Sequence, residues 1–140
     1  MDQDDILYMI SSEAPQITHI ADISWLTHQK GDISSIIKYK EDLFISFQTE
    51  GVVKLTLTPE KKEPYSIIDL QIHCGVLSMM KDKSQNIVWI GTDGQGVYKY
   101  TEEEYTLNSY LFSQISTKVQ KPVRAIFKDD LDNLWLGTRG

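Results

Sequence analysis

Apolar and polar residues alternate along this chain with the period of extended strands, most cleanly over residues 86–100. There Val88, Ile90 and Thr92 fall on one face of a strand, and Trp89 and Gly91 on the other. After Gly96, Val97 and Lys99 alternate with Tyr98 and Tyr100. Asp93-Gly94 between the two runs supplies the positive φ of a tight turn, so the stretch predicts a β-hairpin with an apolar and an aromatic side.

The pattern recurs. Residues 133–140 repeat its first half, and residues 42–55 repeat the whole, with Phe44 in the place of Trp89 and Ser46 in the place of Gly91. Phe44 and Trp89 are 45 residues apart, Trp89 and Trp135 are 46 apart, and Gly51 and Gly96 are 45 apart. A fixed period of this size in short strands predicts the blades of a β-propeller. Ahead of each hairpin stands a further run, residues 33–38, 76–81 and 123–128. Its columns hold Ile33, Val76 and Val123, then the small Ser35, Ser78 and Ala125, then Ile37, Met80 and Phe127, with Ile36, Met79 and Ile126 on the opposite face. Apolar residues on both faces fit an innermost strand wedged between neighbouring blades. A weaker run follows each hairpin, at residues 65–71 and 105–112 beside charged links, and fits an outer edge strand.

The expected fold is therefore all-β: a propeller segment of about three four-stranded antiparallel blades that does not complete a ring. The units are a partial, degenerate blade over 1–30, blades over 31–72 and 73–117, and the first half of another over 118–140. In the first unit residues 6–11 take the slot of the Trp-bearing strand, with Tyr8 as its aromatic, and residues 16–20 and 22–26 are expected as the two strands after it. No helix of useful length is expected. Closed propellers typically use four to eight blades, so the segment is expected either to belong to a longer propeller or to associate with other copies.

Composition narrows the function. A formal charge of −6 disfavours a general nucleic-acid surface. The single cysteine, Cys74, excludes a disulfide framework or a CxxC pair. No apolar run approaches the ~18 residues that span a bilayer. The acidic opening, with Asp2, Asp4 and Asp5, is not that of a secretory signal. Read literally the chain is cytosolic; read as a piece of something larger, its start carries no address. His19, His28 and His73 show no metal-ligand spacing, and the paired acids fall in turns or at the ends. The glycines at 91, 94 and 96 lie within a hairpin and not ahead of a helix, so no phosphate loop is present. Neither a catalytic residue, a metal site nor a cofactor is expected.

The hairpin Asn-Ile-Val-Trp-Ile-Gly-Thr-Asp-Gly-Gln-Gly-Val-Tyr-Lys-Tyr over 86–100, and Asp-Asn-Leu-Trp-Leu-Gly-Thr-Arg-Gly over 132–140, each follow a strand of the type Val-x-x-Ile-x-Lys-Asp, with Met79 in the place of the isoleucine in the first. Together they resemble the two-component regulator propeller repeat. The match covers residues 76–100 and 123–140; the copy over 33–55 departs from it at Phe44 and Ser46, and residues 1–30 match loosely. The resemblance implies the sensor region of a hybrid two-component system of Gram-negative gut bacteria, with two seven-bladed propellers and a β-sandwich in the periplasm. A membrane helix, histidine kinase and receiver modules would follow in the parent protein. It also implies that the input is an oligosaccharide from polysaccharide breakdown, and that this segment is not itself an enzyme. Its partners would be that ligand and the rest of the propeller or another copy. A protein-interaction propeller is the alternative, and a propeller enzyme like streptogramin lyase a weaker one, since it needs a His/Glu cluster not visible here.

Trp89, Trp135 and Phe44 read as blade-packing residues, and Gly91 and Gly137 as positions that admit the next blade. Ligand contacts are expected from loops at one end of the blades. Thr49, Glu50, Asp93, Gln95 and Arg139 lie in the turns between second and third strands; Lys30, His73 and Lys121 lie in the links before inner strands. Of these, Asp93, Gln95, Arg139, Glu50 and His73 are the candidate ligand-binding set, able to hydrogen-bond sugar hydroxyls or uronate carboxylates.

Overall fold

The structure, a computed structural model, describes residues 5–10, 17–58, 65–83, 85–102, 105–106 and 121–138. The elements run β1 (Ile6–Ile10), β2 (Ile17–Asp22), α1 (Ser24–Lys30), β3 (Ile33–Tyr39), β4 (Asp42–Phe47), β5 (Val52–Leu57) and β6 (Tyr65–Asp69). There follow β7 (Val76–Lys81), β8 (Val88–Thr92), β9 (Val97–Tyr100), β10 (Tyr105–Thr106), β11 (Val123–Lys128) and β12 (Leu134–Thr138). They form four antiparallel sheets, ordered β1-β2, β3-β4-β5-β6, β7-β8-β9-β10 and β11-β12. The chain is an all-β, partial propeller, with two four-stranded blades between two half-blades.

The register shows why the columns of the sequence recur. The small residues pair with one another across the first two strands of each blade: Ser35 with Ser46, Ser78 with Gly91, Ala125 with Gly137. The next pair on the same face is bulky: Ile37 with Phe44, Met80 with Trp89, Phe127 with Trp135. On the opposite face stand Ile36 with Ile45, Met79 with Ile90, and Ile126 with Leu136. One face of each blade thus meets the reverse face of the next. Phe44 and Val52 pack with Val76, Val88 and Ile90. Trp89 and Val97 pack with Val123, Ile126 and Leu136. Leu7, with Ile23 and Leu26, packs against Ile45, Phe47, Val53 and Leu55.

At the small pairs the backbones come close. A Cβ on Gly91 would lie 2.3 Å from Ser78 Oγ, 2.8 Å from Val123 Cγ1 and 3.0 Å from the Val123 carbonyl oxygen. The hydroxyl of Ser78 donates to that same carbonyl at 2.9 Å, and Ser34 Oγ donates to the Val76 carbonyl at 2.6 Å. Gly137 faces only ordinary contacts, with Ala125 Cβ at 3.4 Å.

Two expectations for the first unit are corrected. Residues 22–26 are not a strand: Ser24–Lys30 is a helix. Ile23 and Leu26 are buried three positions apart and Lys30 four further on, a helical spacing that a short window conceals. The link from β2 to β3 has ten residues, 23–32, where the link from β6 to β7 has six, 70–75; seven of the ten are wound into about two helical turns. Asp22 Oδ1 accepts the Ser24 N–H at 2.9 Å, and Gly31, at φ 87°, closes the helix by donating to the Thr27 carbonyl at 2.9 Å.

Nor does β1 occupy the Trp-bearing slot. Asp22 opposes Ile6 as Asp69 opposes Val53, and the Ile23 N–H donates to the Asp5 carbonyl as the Leu70 N–H donates to that of Val52. Asp69 Oδ1 accepts the Gln71 N–H just as Asp22 accepts that of Ser24. β1 and β2 are therefore the third and outer strands of a blade, not its second and third. Tyr8 is 55% exposed, unlike the buried Phe44.

Gly91→Ala forces the inner strand of the following blade away from its seat. We expect a loss of about 1–3 kcal/mol, read as a lower urea midpoint with an unchanged slope. An unaltered midpoint would refute the close-approach account.

Candidate functional site

The links and turns at one end of the blades interlock through backbone hydrogen bonds. Gln48 N–H donates to the Asp32 carbonyl at 2.8 Å, and Thr49 and Glu50 both donate to Lys30 at 3.0 Å. Across to the link before the next blade Gly51 donates to Cys74 at 2.8 Å, and within that blade Asp93 donates to Gly75 at 2.9 Å. Asp93 also bridges to Pro122, which brings the third link against the second turn. Gly75 leaves no room for a side chain here, since a Cβ would meet the Gln48 carbonyl oxygen at 2.2 Å. Gly51 and Gly96 take φ near 86°, as the two turns require.

On this frame Glu50, His73 and Asp93 come together around Cys74. His73 Nδ1 lies 3.8 Å from Glu50 Oε1, with His73 well exposed and Glu50 partly so. Asp93 sits against Gly75, and Gln95 follows in the same turn, its N–H donating to Thr92 Oγ1 at 3.0 Å. Asp93 and Gln95 are exposed. Burial pushes the Cys74 thiol up; hydrogen bonds to Tyr98 and Thr92 oppose that, and the charges of Asp93 and Glu50 add to it. Burial likewise pushes the Tyr98 hydroxyl, 3.9 Å from Cys74 Sγ, up to about 12. The thiol is a neutral filler beneath the acidic loops. Thr49 and Lys121 are exposed on the same end. Arg139 lies outside the described residues.

Beneath these loops lies an ion pair that the sequence did not disclose. Lys30 is 6% exposed, and its ammonium meets Asp69 at 2.7 Å and Glu50 at 4.0 Å. The missed helix carries the lysine, so no strand pattern could have placed it. Burial would raise the Asp69 carboxyl, but the hydrogen bonds from Lys30 and the Gln71 N–H outweigh it and hold the group below its ordinary value. At the opposite end of the blades a cleft of about 560 Å³ lies between the turns after β7 and β11, lined by Met80, Asp82, Phe127 and Lys128. Asp82 is buried there and takes Lys128 Nζ at 2.7 Å. The corresponding Asp129 instead accepts the Trp135 indole N–H at 2.9 Å. That bond, with those from Asn133 and Leu131, lowers its pKa to about 2. Trp89 has no such acceptor: its indole nitrogen is buried without a hydrogen bond, and its ring fills the seam between blades. Trp135 is 61% exposed.

Among the described residues no group of three or more His, Cys, Asp or Glu side chains is placed to hold a metal ion, and no helix is long and apolar enough to cross a membrane. What the loop end offers is carboxylate acceptors, an imidazole and a primary amide on a rigid frame. That set can hydrogen-bond a polyhydroxylated ligand.

The fold has a counterpart. A crystal structure assigned to the extracellular domain of the hybrid two component system BT3049 from B. thetaiotaomicron is similar over 94% of this chain, with a TM-score of 0.56 and 20% sequence identity. The chain spans 16% of the length of that neighbour. No protein-family model matches the chain, and no curated protein matches it.

The depressed carboxyl of Asp69 sets a pH dependence. Its folded-state pKa lies below the unfolded value near 3.8, so its contribution is full above that value and is lost as pH falls through the folded pKa. We expect the wild-type chain to lose stability in acid more steeply than Asp69→Asn, measured by thermal unfolding between neutral pH and about pH 3. Parallel curves would remove the ion pair from the account.

Proposed function

We propose that this chain is part of the extracytoplasmic ligand-sensing propeller of a hybrid two-component sensor, located in the periplasm and responding to an oligosaccharide. The reading is carried by one observation, the likeness of fold along 94% of the chain to the extracellular domain of a hybrid two component system. The Trp-x-Gly-Thr hairpins at 89–92 and 135–138 add to it, as does the interlocked loop end. Glu50, His73, Asp93 and Gln95 would hydrogen-bond the ligand hydroxyls, and the backbone bonds between successive blades would carry a shift of one loop to its neighbours. The segment would bind and transmit without catalysis; a kinase, in this reading, lies elsewhere in a parent protein.

Calorimetric titration of the chain with a panel of neutral and uronate-containing oligosaccharides tests this. Saturable binding to a member of the panel is expected, weakened about tenfold, or ~1.4 kcal/mol, by Asp93→Ala or His73→Ala with unfolding unchanged. Flat titrations across the panel would refute the oligosaccharide reading, and capture of a protein partner through the same loops would replace it with an interaction module.

A further inference from the structure

The buried ammonium of Lys30 has two carboxylates in reach, and they are held very differently. Lys30 Nζ lies 2.7 Å from Asp69 Oδ2 and 4.0 Å from Glu50 Oε2. Asp69 is committed at both oxygens: Oδ2 takes the lysine, and Oδ1 accepts the Gln71 N–H at 2.8 Å. That second bond holds Gln71 at φ 62°, in the left-handed region that a residue with a side chain seldom enters. Glu50 is fixed through its main chain, whose N–H donates to the Lys30 carbonyl at 3.0 Å. Its carboxylate lies between Lys30 and His73, with Oε1 3.8 Å from His73 Nδ1, and neither separation is a hydrogen bond. The ammonium nevertheless lies close beneath the turn: a Cβ on Gly51, the next residue, would stand 3.8 Å from Lys30 Nζ.

We propose that Asp69 is the fixed counter-ion of Lys30 and Glu50 an exchangeable one, so that Lys30 and Asp69 together are positioning residues for Glu50. A buried ammonium must keep a carboxylate partner, because leaving it unpaired costs far more than an exposed contact returns. While Asp69 fills that need, Glu50 can turn outward to His73 or to a ligand hydroxyl and leave no charge unpaired beneath it. When Asp69 cannot fill it, a change of rotamer at Glu50 closes the gap to Lys30, and the carboxylate is withdrawn from the loop face. The second acid is what lets an outward-facing carboxylate sit above a buried cation without being captured by it. Asp69 acts from the outer strand β6, and Lys30 from the helix of the preceding link. The availability of Glu50 is thus set by two elements that present no candidate ligand contact. That Glu50 then meets a ligand rests on the proposed role of the loop end; the exchange of counter-ions does not.

A double-mutant cycle on the urea midpoint, measured without ligand, tests this. Glu50→Gln alone is expected to move the midpoint little, because the Glu50 carboxylate is part-exposed and hydrogen-bonded to neither neighbour. In Asp69→Asn the new amide oxygen can still accept the Gln71 N–H, but the charge is gone. There Glu50→Gln is expected to lower the midpoint about threefold further than in the wild type, since it removes the last partner of a buried ammonium. Adding Lys30→Met should abolish that coupling. It should also restore folding if the chain with both Asp69→Asn and Glu50→Gln does not fold, because the cation that demands a partner is gone. Equal effects of Glu50→Gln in the two backgrounds, a coupling that persists without Lys30, or an unfolded double variant that Lys30→Met fails to rescue would overturn the proposal. No ligand enters the measurement, so flat sugar titrations leave the exchange standing, and its failure leaves the sugar reading standing.

Discussion

The structure depends on how near one inner strand can come to the face of the blade before it. Val123 lies against Gly91 closely enough that a single methyl group would collide with its carbonyl oxygen and side chain. Ser78, across the sheet from Gly91, turns the same proximity into a hydrogen bond to that oxygen. Small residues at paired positions of the first two strands therefore do two things: they let backbones approach, and they place the bulky pair above them over the gap that remains. Trp89 fills that gap in one seam and Phe44 in another. The period of the sequence is the distance along the chain between successive solutions of this one packing problem.

Close stacking also brings the loops together. Because inner strands lie side by side, the link before each one meets the turn of the preceding hairpin, Cys74 with Gly51 and Pro122 with Asp93, and also the turn of its own blade, Asp32 with Gln48 and Gly75 with Asp93. The ion pair of Lys30 with Asp69 ties the longer first link to the outer strand of the next blade. A buried lysine is stable there because it meets one carboxylate at hydrogen-bond distance and lies close to a second.

What could be read from the sequence follows the same division. Val88 to Tyr100 announces its fold because each position answers to a face, and alternation reports faces. The small column of Ser35, Ser78 and Ala125 was legible for the same reason, since only close approach demands it. Residues 23–30 were not, because Ile23, Leu26 and Lys30 are buried at helical spacing over barely two turns, and such a window also satisfies an alternating reading. The slot of β1 was misplaced because Tyr8 imitates the aromatic of a Trp strand. Its true position is disclosed by Asp22, whose side chain bonds two residues on as Asp69 does, a signal that precedes no glycine and repeats no aromatic. The different fates of Asp82 and Asp129 were equally hidden: one pairs with a lysine 46 residues away, the other with the indole of its own hairpin.

The loop end separates the groups that hold its shape from the side chains it presents. Its geometry is held by main-chain groups and by glycines at 51, 75 and 96, not by its exposed side chains. Glu50, His73, Asp93 and Gln95 project from a frame that would stand with other residues at the same positions. Exchange of an exposed side chain away from special features costs within about 0.5 kcal/mol, so chemistry at these positions can change without disturbing the blades. Likeness of fold to a neighbour at 20% sequence identity agrees with that division.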